Sequence, residues 1–189
     1  MSGNIVTNYY CGKKQEYLKG GIAMAIFSWH DGEVPVDILI KQVYGLIFVN
    51  DGRLLLRTEE ESGKTRFSLA GGRPEPSDDG IEGTVRRELI EEVNVTIKQP
   101  IIVGYQRVDE EDGTPPFAQV RMTALIDTIG EVRPDPDTGR IYGRFLTSPL
   151  KAGELLNWGD VGYSQIKTAM QIATESLGIS CFGDNEEYI

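Results

Sequence analysis

The chain has 189 residues, of which 40% are hydrophobic and 25% are charged. This mixture is typical of a folded globular protein and excludes a fibrous or disordered chain. Nineteen Lys and Arg residues against 29 Asp and Glu residues give a net charge of -10. Such an acidic chain is repelled by nucleic-acid backbones and by anionic lipid surfaces, so we expect neither nucleic-acid nor membrane partners.

The chain has too few cysteine and histidine residues for a disulfide framework or a typical zinc site. Cys11 and Cys181 lie near opposite ends of the chain, which excludes a disulfide framework and a zinc site built on a Cys-X-X-Cys pair. His30 is the single histidine, and we interpret it as a surface or turn residue. No apolar run reaches the roughly 18 residues of a membrane span, and residues 1–20 contain no signal-peptide core. We therefore expect a cytoplasmic protein.

Short apolar runs predict a series of β-strands. Residues 43–49 and 53–57 are apolar on either side of an Asn-Asp-Gly sequence at residues 50–52, which is typical of a β-hairpin turn. The same reasoning predicts strands at residues 21–28, 36–40, 67–70, 101–108 and 118–129, and around residues 141–146.

Two segments have a helical period instead. Over residues 80–93, Val85, Leu89 and Val93 recur every four residues and form one apolar stripe. A second helix is predicted near the end of the chain, where Gly178 stops it. Strands interleaved with two helices indicate a single α/β or α+β domain. The apolar face of the second helix contains Ile166, Ala169, Met170, Ala173 and Leu177.

Three glutamates fall on one side of the first predicted helix. At about 100° per residue, Glu88, Glu91 and Glu92 lie within roughly 100° of one another, beside the apolar stripe. Carboxylates at these spacings repel one another, and partial burial increases that cost. A hard cation such as Mg²⁺ removes the conflict, because it binds carboxylate oxygens and keeps waters for a substrate phosphate. Gly71 and Gly72 precede the helix, where bare backbone can approach a metal or a phosphate.

The stretch from the glycine pair to the end of this helix resembles the Nudix box, GX5EX7REUXEEXGU, in which U is apolar. The sequence Arg-Glu-Leu-Ile-Glu-Glu at residues 87–92 matches the REUXEE core at every position, and Val95 matches the final apolar residue. Asn94 replaces the box glycine at the helix end, where left-handed backbone is needed and Asn is the next-best residue. The loop is one residue longer than the pattern, so either Asp78 or Asp79 takes the place of the first box glutamate.

The resemblance implies a Nudix-type α/β/α sandwich with a mixed β-sheet, and a hydrolase that cleaves a pyrophosphate bond in a nucleoside diphosphate linked to another group. Carried onto this chain, Glu91 and Glu92 would be the principal ligands of Mg²⁺ or Mn²⁺, with the Gly71 carbonyl as a backbone ligand. Glu88 would be a further ligand or the base that takes a proton from the attacking water. Arg87 would orient the glutamates through charge-assisted hydrogen bonds.

The resemblance also bears on domain organisation. It extends over most of residues 40–178, so we expect a single Nudix domain over residues 1–189 with an N-terminal strand extension in residues 1–40. Homodimers are frequent in the family, so the resemblance also makes a homodimer an expectation for this chain.

The substrate is left open among nucleoside triphosphates, nucleotide sugars such as ADP-ribose, and dinucleotides. Arg53, Arg57 and Arg73 are candidates for binding the phosphates of this small-molecule nucleotide. Asp137 is the first candidate for an acidic residue from a later loop, and Asp135 and the acidic cluster Asp109–Asp112 are the next candidates. Candidates for stacking on a base, each of which could instead be a core residue, are Tyr105, Phe117 and Tyr142.

The alternative function is a catalytically weak Nudix-fold module that binds or senses a nucleotide. The intact set Glu88, Glu91 and Glu92 favours the enzyme, because a pure binder has no need of that arrangement. A third chemistry on the same fold, isopentenyl-diphosphate isomerisation, needs a catalytic cysteine in the core, and both cysteines lie outside it.

Overall fold

The computed structural model describes residues 5–10, 13–18, 25–110 and 112–189. Within these residues the chain forms a two-stranded sheet, a ten-stranded sheet and three helices. The helices are α1 (Gly80–Val93), α2 (Pro149–Leu156) and α3 (Gly159–Ser176). The strands are β1 (Ile5–Tyr10), β2 (Lys13–Leu18), β3 (Ile26–Asp31), β4 (Leu39–Phe48), β5 (Leu54–Glu61), β6 (Lys64–Ser68), β7 (Gly71–Gly72), β8 (Val95–Ile97), β9 (Ile101–Asp109), β10 (Phe117–Ile129), β11 (Gly143–Thr147) and β12 (Glu187–Tyr188).

The large sheet is mixed. Its main path runs β12-β11-β5-β4-β10-β9-β3, while β6, β7 and β8 pair with β5, β4 and β10 respectively. Strands β4 and β10 are parallel, and the other pairs are antiparallel. The parallel pair sets Tyr44 opposite Arg121, and β7 sets Gly71 on the other side of Tyr44. Tyr44 therefore lies between the glycine pair and the central strand β10.

Helix α1 covers one face of the sheet because every fourth residue along it is apolar. Val85, Leu89 and Val93 are buried in one cluster with Val43 and Ile47 of β4. Successive residues of a strand point to opposite faces, so the neighbouring residues of β4 face the other side of the sheet.

Helices α2 and α3 cover that opposite face. Ala152 of α2 and Ile166 and Ala169 of α3 are buried in a second cluster with Leu46 and Phe48 of β4. Helices on both faces of a mixed sheet make a three-layer α/β/α sandwich, which confirms the predicted fold class. None of the helices in the described part of the chain is long and apolar enough to cross a membrane.

The strongest local patterns are confirmed. Strands β4 and β5 join through the turn at residues 50–52, where Gly52 has a φ of 82° and donates its N–H to the carbonyl of Val49. Helix α1 spans Gly80–Val93, the predicted range. Both patterns depend on neighbouring residues alone, and this is why the sequence indicates them well.

The predicted strand at residues 36–40 is wrong over its first half. Val36 and Asp37 form a turn, because the carbonyl of Pro35 accepts the N–H of Ile38 at 3.0 Å. The strand begins at Leu39 and continues into β4.

Other differences concern short or displaced elements. Residues 21–24 of another predicted strand lie outside the described residues, and β3 begins at Ile26. Helix α2 is absent from the sequence prediction because its eight residues are too few to show a helical period. Its start is stabilised by the Ser148 hydroxyl, which accepts the N–H of Lys151. Strand β11 begins at Gly143, two residues later than expected.

Asn94 ends helix α1 in left-handed backbone, with φ 45° and ψ 52°. Its side-chain amide donates to the carbonyl of Glu131 at 2.7 Å, and its own carbonyl accepts the N–H of Gly130 at 2.8 Å. The residue that replaces the box glycine therefore also joins α1 to the end of β10.

We expect Asn94→Ala to lower the free energy of unfolding by about 1–2 kcal/mol, because Ala disfavours left-handed backbone and cannot bond Glu131. Asn94→Gly keeps the backbone geometry and loses only the side-chain bond, so its loss should be the smaller one. Chemical denaturation of both variants measures the difference. Equal losses would show that backbone geometry at this position does not matter.

Candidate active site

The guanidinium of Arg87 holds three carboxylates beside helix α1. Its Nε donates to Asp78 at 2.9 Å, and its Nη1 donates to Glu88 at 2.9 Å and to Glu91 at 2.8 Å. Its Nη2 also donates to the carbonyl of Arg73 at 2.8 Å. These bonds favour the charged forms, and the hydrogen bond to Asp78 is the main reason that the pKa of Arg87 is raised. Arg87 thus fixes the loop before the helix and two of its glutamates together.

Asp78 is the loop acid that engages this site. It accepts the hydroxyl of Thr84 at 2.9 Å and the N–H of Glu75 at 2.9 Å, in addition to Arg87. Its hydrogen bond with Arg87 lowers its pKa from 3.8 to about 2. Asp79 is exposed at the start of α1 and makes no side-chain capping bond. Of the two residues that sequence spacing left open, Asp78 is the one bound to Arg87.

Glu92 is buried between helix α1 and the sheet, with 8% of its surface exposed. One carboxylate oxygen accepts the N–H of Gly71 at 2.9 Å, and the other accepts Nη1 of Arg57. The pairing of β7 with β4 at Tyr44 holds the Gly71 backbone in this position. Glu92 therefore connects the helix to both β5 and β7.

Glu88 packs directly against the glycine pair. A Cβ atom on Gly72 would overlap the Glu88 carboxylate, so any other residue there would force this carboxylate to move. Burial raises the pKa of Glu88, the charge of Arg87 lowers it, and the charges of Glu91 and Asp135 raise it further. The carboxylate is thus close to other acids and partly withdrawn from water.

The three box glutamates do not form a preformed metal site in this arrangement. Among the described residues, no three His, Cys, Asp or Glu side chains are gathered closely enough to hold a metal ion. The reason is that Glu88 and Glu91 bond to Arg87, while Glu92 bonds to Arg57 and to Gly71. The donor set itself consists of carboxylate oxygens, which suits a hard divalent cation.

The later acidic loop contributes Asp135, whose charge raises the pKa of Glu88. Asp135 is buried, and one of its oxygens accepts the N–H groups of Asp137 and Thr138 at 3.0 and 2.7 Å. Asp137 is exposed. The sequence favoured Asp137 over Asp135. The positions of the two residues do not support that preference, because the loop turns Asp135 inward and leaves Asp137 exposed.

The three candidate arginines have different surroundings. Arg53 is buried beside the turn of the β4–β5 hairpin. It pairs there with Asp51 at 2.9 Å and with Glu187 at 3.0 Å. Arg73 is exposed. Arg57 bonds Glu92 and packs over the ring of Tyr142, with 4.4 Å between guanidinium carbon and ring centroid.

A cavity of about 1230 Å³ opens beside this cluster, between β6, the sheet and the start of α3. Arg57 lies in its wall, as does Ser68, which accepts Nε of Arg57 at 2.9 Å. The wall contains four basic side chains and one acidic side chain, although the whole chain has a net charge of -10. The basic residues are Arg57, Lys64, Arg66 and Arg121, and the acidic residue is Glu61.

The aromatic residues of the cavity are not those that the sequence suggested. Tyr105, Phe117 and Tyr142 are buried in the fold outside the cavity wall. The aromatic side chains of the wall are Phe27, Tyr44, Phe67 and Trp158. These residues lie on four different elements or loops, so only the tertiary structure brings them together.

Arg121 is the functional candidate that sequence reasoning missed. It lies in the middle of β10 between Val120 and Met122 and is 3% exposed. A charged residue within a long apolar strand is uncommon, because burial of a charge is costly. That interruption of the apolar pattern is the signal that could have identified it.

A model of the NUDIX domain family matches residues 40–155, more than half of the chain. The chain belongs to the Nudix family. This membership confirms the resemblance that rested on the RELIEE sequence. The matched region contains helix α1, both glycines before it and the strands that carry Arg57 and Arg121. Among curated proteins, no sequence match is found.

Solved structures of Nudix proteins resemble this fold at low sequence identity. A Nudix hydrolase from Nitrosomonas europaea aligns with a TM-score of 0.50 and 17% identity, over 70% of this chain and 89% of that one. The ORF135 protein of E. coli aligns with a TM-score of 0.49 and 19% identity, over 77% and 99% of the two chains. A mutant of the Bacillus subtilis pyrophosphohydrolase BsRppH aligns with a TM-score of 0.46 and 21% identity. That alignment covers 56% of this chain and 62% of the other, less than two thirds of its length.

The lowered pKa of Asp78 predicts a pH-dependent contribution to stability. Its folded pKa of about 2 lies below its ordinary value of 3.8, so its contribution is fully present above about pH 4 and is lost as pH falls toward 2. Asp78→Asn should lower the free energy of unfolding at pH 7 by about 1–2 kcal/mol, and the difference from wild type should shrink below pH 4. Denaturant titrations at several pH values measure this.

Asp79→Asn is the matched control, because the neighbouring residue is exposed and makes no capping bond. We expect it to change the free energy of unfolding by less than about 0.5 kcal/mol. A difference between Asp78→Asn and wild type that stays constant from pH 7 to pH 3 would contradict the linkage.

Proposed function

We propose that this Nudix protein is a hydrolase that cleaves a pyrophosphate bond in a nucleoside diphosphate linked to another group, and that it uses a divalent metal ion held by Glu88, Glu91 and Glu92. One observation carries the proposal. Arg57 bonds Glu92 on helix α1 and also lines the basic cavity, so it joins the carboxylate helix to the space that can hold a ligand. A nucleotide in that cavity would have its phosphates next to the glutamates.

The charge of the cavity supports a phosphate-bearing substrate. Basic side chains that converge in an acidic protein attract an anion to one place, and arginine binds phosphate oxygens through pairs of N–H donors. Lys64 and Arg66 are exposed on β6, where they can meet an incoming phosphate. Arg57 lies deeper, beside Glu92. The cavity therefore offers cationic contacts from its mouth to the carboxylate helix.

The carboxylates fit a metal ion by their chemistry. Nudix family members generally depend on a divalent metal ion, and an all-oxygen donor set suits Mg²⁺ or Mn²⁺. The side chains of Glu88 and Glu91 are 13% and 24% exposed, so solvent and ions can reach them. Glu92 and the Gly71 carbonyl complete the set that we propose. Such an ion supplies Lewis-acid neutralisation of the charge that develops on the phosphate oxygens.

The chain's own side chains then have separate roles. Arg87 holds Glu88 and Glu91 in place through its two bonds to them. Arg57 positions a phosphate while it keeps Glu92 oriented. Glu88 is a further ligand or the base that accepts a proton from the attacking water, and its pKa, raised mainly by burial, favours a base.

The panel of substrates that tests this proposal contains nucleoside triphosphates, ADP-ribose, NADH and dinucleoside polyphosphates. Release of phosphate and pyrophosphate is measured with Mg²⁺ and again with EDTA. Metal-dependent release from one member would establish the hydrolase and its substrate class. No release across the panel, together with a nucleotide that raises the melting temperature, would replace the proposal by a Nudix-fold binding module.

Glu92→Gln should lower metal-dependent turnover about 100-fold or more, because it removes a negative charge from the proposed metal site. The rate is measured on the substrate that the panel identifies. Glu82→Gln is the matched control, since Glu82 lies on the same helix but bonds Gln99 away from the cluster. We expect the control to retain turnover within about twofold of wild type. A folded Glu92→Gln variant with wild-type turnover would remove helix α1 from the mechanism.

Gly72→Ala tests the close approach of the backbone to Glu88. The added methyl group would overlap the Glu88 carboxylate and displace it, while Gly72 itself has no left-handed backbone to strain. We expect turnover to fall about tenfold or more, with a loss of stability that is small by comparison. Turnover at saturating substrate and thermal unfolding are measured together, and unchanged turnover would show that the position of Glu88 is not critical.

A further inference from the structure

Arg121 is a buried cation in the wall of the cavity. Its guanidinium lies near two aromatic rings, at 4.7 Å from the centroid of Tyr44 and 5.2 Å from that of Trp158. Desolvation lowers the pKa of Arg121 to about 10, so it remains charged at neutral pH. In the part of the chain that the structure describes, no carboxylate pairs with it, and its hydrogen bonds go to neutral oxygens of Gln165, Gln119 and Val120. A buried charge without a counter-charge favours a ligand that supplies one or supplies acceptors.

Arg121 also orients a chain of glutamine amides. Because arginine has no acceptor, the carbonyl oxygen of Gln165 must face its Nε, and it does so at 2.8 Å. The amide nitrogen of Gln165 therefore donates to the oxygen of Gln106 at 3.1 Å. The nitrogen of Gln106 then donates to Gln119 at 3.4 Å, and the nitrogen of Gln119 donates to Gln42 at 2.6 Å. The cation thus determines the direction of every amide in the chain.

This direction leaves unused hydrogen-bond donors on the part of the cavity wall formed by Arg121, Gln106 and Gln119. Nη2 of Arg121 donates to no group among the described residues. Gln106 and Gln119 also line the cavity, and each has a second amide hydrogen beyond the one used in the chain. Their carbonyl oxygens already accept one bond each. Unused donors therefore outnumber unused acceptors on this wall.

We propose that this wall, formed by Arg121, Gln106 and Gln119, selects a keto purine over an amino purine by reading its O6 and N7 acceptors. The inference rests on the proposed function, because it concerns the base of the nucleotide that the same cavity would hold. Guanine and hypoxanthine present two acceptors along this edge, whereas adenine presents N7 and an amino group at position 6. An amino group that faces a wall of donors leaves those donors unpaired, which costs binding.

The other features of the cavity suit a planar base. Trp158 is half-buried in the wall and offers an aromatic surface, and bases stack on such rings. The volume of about 1230 Å³ is ample for a purine nucleotide. Arg66 and Lys64 on β6 lie in the same cavity and can meet the phosphates. Base and phosphates thus have separate partners within one cavity.

The test measures binding of GMP, IMP and AMP to the full chain by calorimetry, without catalysis. IMP is included because it has the keto edge of GMP but lacks the 2-amino group. We expect GMP and IMP to bind about tenfold or more tightly than AMP, the size of one bidentate base contact. AMP that binds as tightly as IMP overturns the proposal. GMP that binds tightly while IMP binds only as weakly as AMP also overturns it, since the 2-amino group would then be the feature recognised.

Two variants locate the effect. Arg121→Gln removes the cation, and the ratio of IMP to AMP affinity should fall to about two or less. Gln165→Glu has almost the same shape and gives Arg121 a carboxylate partner, so it should reduce the same ratio even if Arg121→Gln does not fold. A folded Gln165→Glu variant with the wild-type ratio overturns the role of Arg121.

Arg66→Gln is the matched control, because it makes the same change at an exposed position of the same cavity. This variant should weaken the binding of GMP, IMP and AMP equally and leave the ratio of IMP to AMP affinity unchanged. A ratio that falls as far as in Arg121→Gln contradicts the proposal. Turnover with Mg²⁺ is measured separately, so that a keto preference in a protein without hydrolysis refutes the proposed function and supports the selectivity of the wall.

Discussion

Repulsion among carboxylates on one helix is the constraint on which the rest of this structure depends. Glu88, Glu91 and Glu92 lie on adjacent turns of α1, and two of them are close to the protein interior. Two guanidiniums hold them, Arg87 from the same helix and Arg57 from β5. Without these cations the charges would oppose folding, since buried like charges cost more than exposed ones. The arginines therefore stabilise a set of oxygens that a divalent ion can also use.

The sheet connects this cluster to the cavity through one row of strand partners. Gly71 pairs with Tyr44, Tyr44 pairs with Arg121, and Arg121 pairs with Gly104. Tyr44 lines the cavity, and burial raises its pKa while the charges of Arg121 and Arg57 lower it. The parallel pairing of β4 with β10 thus places Gly71 and Arg121 on opposite sides of Tyr44. A ligand that fills the cavity would contact the middle of this row, at Tyr44 and Arg121.

The sequence pattern was sufficient to predict those elements that depend on interactions between neighbouring residues. The period of Val85, Leu89 and Val93 predicted α1 with its observed bounds, and the Asn-Asp-Gly turn predicted the β4–β5 hairpin. The box spacing left Asp78 and Asp79 equivalent, and only the hydrogen bond to Arg87 separated them. In the same way, Asp135 and Asp137 differ by the direction of a loop, which is set by hydrogen bonds within that loop.

The sequence by itself determined the fold class, the family and the carboxylate helix, because a helical period and a fixed spacing of Arg and Glu are properties of neighbouring residues. The tertiary structure decided which arginines meet the carboxylates and which side chains line the cavity. Arg57 reaches Glu92 across 35 positions, and Arg121 reaches Gln165 across 44. Such contacts depend on the order of strands in the sheet and on the faces that the helices cover, and no local pattern in the chain specifies either one.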